Sequence, residues 1–116
     1  MADGYQNLIV WQKSMELTAE VYRLVKLLPK EETFSISDQM RRAAVSIPSN
    51  IAEGKNRNSS KEFKQFLSIA RGSTAELETQ LLICNRINYF SVKETESAIN
   101  MCKEIGRMLY GLMESI

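Results

Sequence analysis

The segment Ile36-Ser37-Asp38-Gln39-Met40-Arg41-Arg42-Ala43-Ala44-Val45-Ser46-Ile47-Pro48-Ser49-Asn50-Ile51-Ala52-Glu53-Gly54 carries both a helical period and a proline within it. Ile36, Met40, Ala43, Ala44, Ile47 and Ile51 recur at steps of three and four, the period of one face of an α-helix. Pro48 stands inside that pattern. A proline removes one i→i−4 hydrogen bond and costs about 3 kcal/mol in an ordinary helix interior. The phase survives it, because Ile47 and Ile51 keep to one face. The spacing therefore predicts one kinked helix over residues 36–54 in preference to two short ones. Gly54 is expected at the left-handed C′ position that closes it.

The same period extends in both directions. Upstream, Leu8, Trp11, Met15, Thr18, Tyr22 and Val25 form one apolar row, and Val10, Leu17, Val21, Leu24 and Leu28 form a second beside it. Together they predict a helix over 8–28 whose wide apolar face has more than one neighbour. Pro29 stops it, and residues 30–35 are a polar connection. Downstream, residues 55–58 form a loop. Ser59 with Glu62 then makes a capping-box pattern for a helix over 60–88, carried by Phe63, Phe66, Leu67, Ala70, Thr74, Leu77, Leu81, Cys84 and Asn88. Gly72 within it is read as a point of close helix approach. Ser91 with Glu94 is a second capping box, opening a helix over 92–115 built on Thr95, Ile99, Cys102, Gly106, Leu109 and Met113. Short connections favour antiparallel neighbours. The expected fold is therefore all-α: an up-down-up-down antiparallel four-helix bundle in a single domain over 1–116.

Composition excludes much chemistry. The 116 residues contain no histidine, so no histidine triad, histidine base, histidine-ligated metal or haem, or Glu-x-x-His di-iron site can be built. There is no Gly-rich phosphate loop and no Cys-x-x-Cys. The expectation is a non-enzymatic chain with no catalytic residues, no metal and no cofactor. No apolar run approaches the ~18–20 residues of a membrane span, and Met1–Gln6 lacks a signal-peptide pattern, so the expected location is cytoplasmic. Cys84 and Cys102 fit a reduced compartment. Across a hairpin turning near residue 90 they are offset by roughly 9 Å along the axis, which is too far for a disulfide. Both read as small buried apolar residues.

The net charge of +1 conceals a segmented chain. Residues 1–40 carry four basic and six acidic side chains, and residues 72–116 the same. Residues 41–71 carry seven basic and two acidic ones, a local excess of five. From this segment Arg41, Lys55, Arg57, Lys61, Lys64 and Arg71 are candidate nucleic-acid contacts, with Lys61 and Lys64 sharing a helix face. The competing reading is an ordinary solvated surface balanced by acidic neighbours in space. A polar row is harder to place on a surface. Arg42, Ser46, Asn50 and Glu53 lie along one face of the second helix, and Ser73, Glu76 and Gln80 along one face of the third. Paired within or between subunits, they would form a hydrogen-bonded seam that fixes register. A ligand pocket is the alternative.

Residues 41–54 with Arg57 resemble the signature of the four-helix-bundle family described as encoded in 23S rRNA intervening sequences. So do Val10-Trp11-Gln12-Lys13 and Phe66-Leu67-Ser68-Ile69-Ala70-Arg71-Gly72-Ser73 with Glu76-Leu77-Glu78. That family is also similar to the accessory variability protein of diversity-generating retroelements, a basic barrel that works with a reverse transcriptase and nucleic acid. The resemblance implies a ring-shaped homopentamer and an RNA, DNA or reverse-transcriptase-like partner. A structural or protein-interaction oligomer with no nucleic-acid role is the competing expectation.

Overall fold

The computed structural model describes residues 4–116. In it the apolar period becomes four helices: α1 (Ile9–Val25), α2 (Ile36–Lys55), α3 (Ser60–Arg86) and α4 (Val92–Ser115). Single 3-10 turns at Tyr5–Asn7 and Lys30–Glu32 precede α1 and α2. Each helix packs on its neighbour in sequence and α4 closes against α1, which makes a four-cornered bundle measuring 43 × 23 × 22 Å. The expected all-α bundle is the observed one. No helix among the described residues is long and apolar enough to cross a membrane.

Of the two apolar rows, the second lies wholly in the core, with Val10, Leu17, Val21, Leu24 and, just past the helix end, Leu28 buried, whereas the first is split: Val25 is buried, Leu8 and Trp11 pack against the core, and Met15 and Tyr22 are exposed. Facing them are Met40, Ala44, Ile47 and Ile51 from α2, Leu67, Leu77 and Leu81 from α3, and Ile105 and Leu109 from α4, all without solvent exposure. Cys84 and Cys102 are buried free thiols. Burial pushes the Cys102 thiol up to about 12, with a smaller contribution from the charge of Glu78. That thiol is protonated at any physiological pH and has no thiolate chemistry to offer.

The helix ends refine the sequence boundaries. α1 stops at Val25, and Leu27 and Leu28 continue in turns bonded to the Leu24 and Val25 carbonyls before Pro29. α3 stops at Arg86, because Asn88 turns left-handed at φ 65° and the Cys84 carbonyl then accepts from both Tyr89 and Phe90. The Asn85 amide brackets this corner, donating to the Phe90 and Ser91 carbonyls and sharing hydrogen bonds with the Thr95 hydroxyl. Tyr89 ties the corner to the turn before α2 by donating to Glu32 at 2.9 Å. The Ser91–Glu94 capping box is complete. At Ser59 only one half forms: Glu62 N–H bonds the serine hydroxyl at 3.2 Å, and the Glu62 carboxylate lies 3.3 Å from that hydroxyl and 3.9 Å from Arg57.

α2 runs unbroken through Pro48. A proline at 48 has no N–H to give the carbonyl of Ala44, four residues back. The Thr18 hydroxyl of α1 lies 3.1 Å from that carbonyl and 2.8 Å from the Ser14 carbonyl of its own helix, and its one proton is shared between them. The neighbouring helix thus supplies the donor that proline lacks.

Two glycine expectations are corrected. Gly54 is not a left-handed cap: it lies inside α2, and no glycine among the described residues has positive φ. What excludes a side chain there is contact, since an added Cβ would stand 2.6 Å from the Phe66 Cβ and 3.3 Å from the Phe63 carbonyl oxygen. Gly72 is not a close approach, because a Cβ there meets nothing within 4 Å.

Candidate nucleic-acid interface

Gly54 lets the end of α2 lie directly on the first turns of α3, and this packing gathers the basic turn. Lys55 Nζ sits 5.8 Å over the Phe63 ring, and the Arg57 guanidinium 4.9 Å over Phe66. Arg57 also bonds Glu53 at 3.0 Å and reaches Glu62 at 3.9 Å. Both carboxylates of the basic segment are therefore engaged by one arginine. Lys61, Lys64 and Arg71 are exposed on α3 and, among the described residues, form no salt bridge. Their spacing, with Ser68, is +3, +4 and +3, so they occupy one face of the helix.

The sequence grouped Arg41 with these residues, and the structure separates it. Arg41 lies fourteen residues up α2 from Lys55, about 21 Å along the axis, where it bonds the Thr33 carbonyl at 3.3 Å. Arg71 lies at the other end of the cationic face and stacks 4.9 Å over the ring of Tyr110. There α3 and α4 border an open groove of about 580 Å³ lined by Arg71, Glu78, Lys103, Arg107 and Tyr110 over a floor of small residues that includes Gly106. Lys103, Arg107 and Tyr110 escaped the sequence reading because they fall in a net-acidic third of the chain. Their signal was the +4 and +3 spacing on one face of α4.

The polar row divides into separate pairings. Ser46 and Ser73 meet across α2 and α3 at 2.8 Å, and the Asn50 amide donates to the Ser46 hydroxyl at 2.9 Å and to its carbonyl at 2.8 Å. Arg42 instead pairs with Asp38 at 3.1 Å, on the surface of α2, and Glu53 with Arg57. On α3 the Gln80 amide donates to Glu76 at 3.4 Å. Gln80 is buried, and its carbonyl oxygen has no partner. Among the described residues no three Cys, Asp or Glu side chains come together as a metal site.

The model of the 23S rRNA-intervening sequence protein family matches residues 6–111 of this chain. A crystal structure from Bacteroides thetaiotaomicron VPI-5482, described as a protein with unknown function from the S23 ribosomal protein family, superposes with a TM-score of 0.84 at 31% identity. The match covers 90% of this chain and 98% of that one. No curated protein matches.

Proposed function

This chain belongs to the 23S rRNA-intervening sequence protein family, and from that premise we propose a non-enzymatic, self-associating bundle that binds RNA or DNA through its basic turn. The observation that carries this reading is the face of α3 bearing Lys61, Lys64 and Arg71 with no carboxylate at ion-pair distance among the described residues. Cations with no carboxylate beside them are free to neutralise phosphates, and that interaction dominates nucleic-acid affinity. Lys55 and Arg57 border the same face, each held against a phenylalanine ring. Self-association is supported by Leu82, Ile83, Ile87 and Val92, large apolar side chains left 44–72% exposed near the α3–α4 corner. A ring-shaped homopentamer, the assembly implied by the family resemblance, would repeat the basic face around an axis and multiply weak interactions. A cytoplasmic location accords with two buried, unpaired cysteines.

The experiment is a salt titration of binding to a fluorescent oligonucleotide between about 50 and 200 mM. Affinity is expected to fall log-linearly with salt. Lys61→Ala with Lys64→Ala should weaken binding alike for all sequences and reduce the slope by roughly 1.4–1.8, at about 0.7–0.9 for each phosphate no longer neutralised. No binding, or binding indifferent to salt, would leave a structural or protein-interaction oligomer, which the exposed apolar residues favour independently. A monomeric mass by light scattering at micromolar concentration would remove self-association from either reading.

A further inference from the structure

We propose that the groove between α3 and α4 is a track for single-stranded nucleic acid, in which Arg71, Lys103 and Arg107 bind phosphates and Tyr110 stacks on a base. This role rests on the nucleic-acid reading above. It narrows that reading to a strand class and adds a second helix to the surface.

Charge is the first support. Among the described residues the salt bridges engage Lys13, Arg23, Arg42 and Arg57 as their cations, so the three cations of the groove are not ion-paired, and a single carboxylate, Glu78, lines the groove with them. Shape is the second. The floor is kept low by Gly106, where an added Cβ would meet nothing within 4 Å. Gly72 and Gly111 are equally open, and what sets Gly106 apart is its place between Arg71, Lys103 and Arg107.

Tyr110 decides the strand class. Its ring is half exposed, with the Arg71 guanidinium 4.9 Å from its centre. Aromatic rings beside cationic grooves are platforms for unpaired bases, which stack on them without regard to sequence. A duplex keeps its base faces stacked inside and offers this surface phosphates and base edges but no face for Tyr110 to stack on. Length agrees. From Lys61 to Arg71 the cationic face runs about 15 Å, and the groove carries it a further ~10 Å along α3 to Glu78. At about 3.4 Å per stacked nucleotide this accommodates roughly seven.

The test is fluorescence anisotropy with a labelled 12-nucleotide single strand, as RNA and as DNA, and the corresponding duplexes. It uses the full chain and Tyr110→Ala, Arg107→Ala and Gly106→Leu. None of these positions carries core packing, and melting temperatures no lower than the parent chain's would show that each variant folds. The single strand is expected to bind on the order of tenfold more tightly than the duplex. Tyr110→Ala should weaken single-strand binding on the order of tenfold with no change in salt slope, the effect expected of removing one stacked base. Arg107→Ala should lower that slope by about 0.7, and Gly106→Leu should block binding with no change of charge. Equal affinity for single strand and duplex, with Tyr110→Ala and Gly106→Leu unchanged, would overturn the groove and leave the basic-turn reading standing. Failure to bind any nucleic acid at about 50 mM salt would overturn both. A change of oligomer mass in Gly106→Leu would assign the groove to a second copy of the chain and overturn the proposal.

Discussion

Replacing Gly54 with alanine is expected to destabilise the bundle by about 1–3 kcal/mol, the usual cost of overpacking a filled site. In a chain of this size that is a fall of roughly 4–12 °C in Tm. The sign is the informative part. Alanine is favoured over glycine by about 1 kcal/mol inside a helix, so with open space around it the substitution would stabilise. At position 54 the new Cβ would stand 2.6 Å from the Phe66 Cβ and 3.3 Å from the Phe63 carbonyl. Neither is the far end of a flexible side chain, so α2 and α3 must separate. Gly72→Ala is the internal control, because its Cβ would enter open space and its expected effect is a small gain. Urea midpoints of both variants check the pair. Equal stability of the two would mean that α2 and α3 do not pack tightly at Gly54 in solution. Because the same packing gathers Lys55 and Arg57 beside Lys61, the 54 variant should also bind nucleic acid more weakly than its stability alone explains.

Thr18→Val is expected to cost about 1–3 kcal/mol by leaving the Ala44 carbonyl without its donor. The substitution keeps the branched shape and removes only the hydroxyl. Its cost should depend on Pro48. In a Pro48→Ala background residue 48 regains an N–H, the ordinary i→i−4 bond to Ala44 closes, and the threonine becomes largely dispensable. A double-mutant cycle by urea denaturation should therefore give a coupling of about 1 kcal/mol or more. Additivity within about 0.3 kcal/mol would show that the hydroxyl does not substitute for the missing amide.

The bundle was legible because its main signal is local. Period, caps and connections are written in neighbouring residues, and Ser91 with Glu94 formed the box that its spacing announced. What was not legible depends on which helix lies opposite. Gly54 looked like a cap because glycine near a helix end usually is one; its true constraint is a phenylalanine twelve residues on. Arg41 looked like a member of the basic cluster because charge was counted along the chain, whereas a helix rises about 1.5 Å per residue and places it at the far end. The same counting hid Lys103 and Arg107, which join Arg71 only across α3 and α4. Of the polar row, Ser46, Asn50 and Ser73 come together. The long side chains of Arg42 and Glu53 instead found partners on their own helix and its following loop, since a charge one turn away is reached at a smaller cost in rotamer freedom.

The bracket that Asn85 makes around the α3–α4 corner bears on how the chain reaches its fold. Its bonds join residues no more than ten apart in sequence, with a left-handed Asn88 and a complete capping box inside the same span. The closing of α1 on α4 joins positions as distant as Lys13 and Glu104. Because the entropy of closing a loop rises with its length, the α3–α4 hairpin closes at a smaller entropic cost than the contact of α1 with α4. α1 is held by those distant contacts with α4 and by its packing on α2. Its release uncovers the Ala44 carbonyl, so α2 loses its borrowed donor at the same moment that it loses its neighbour.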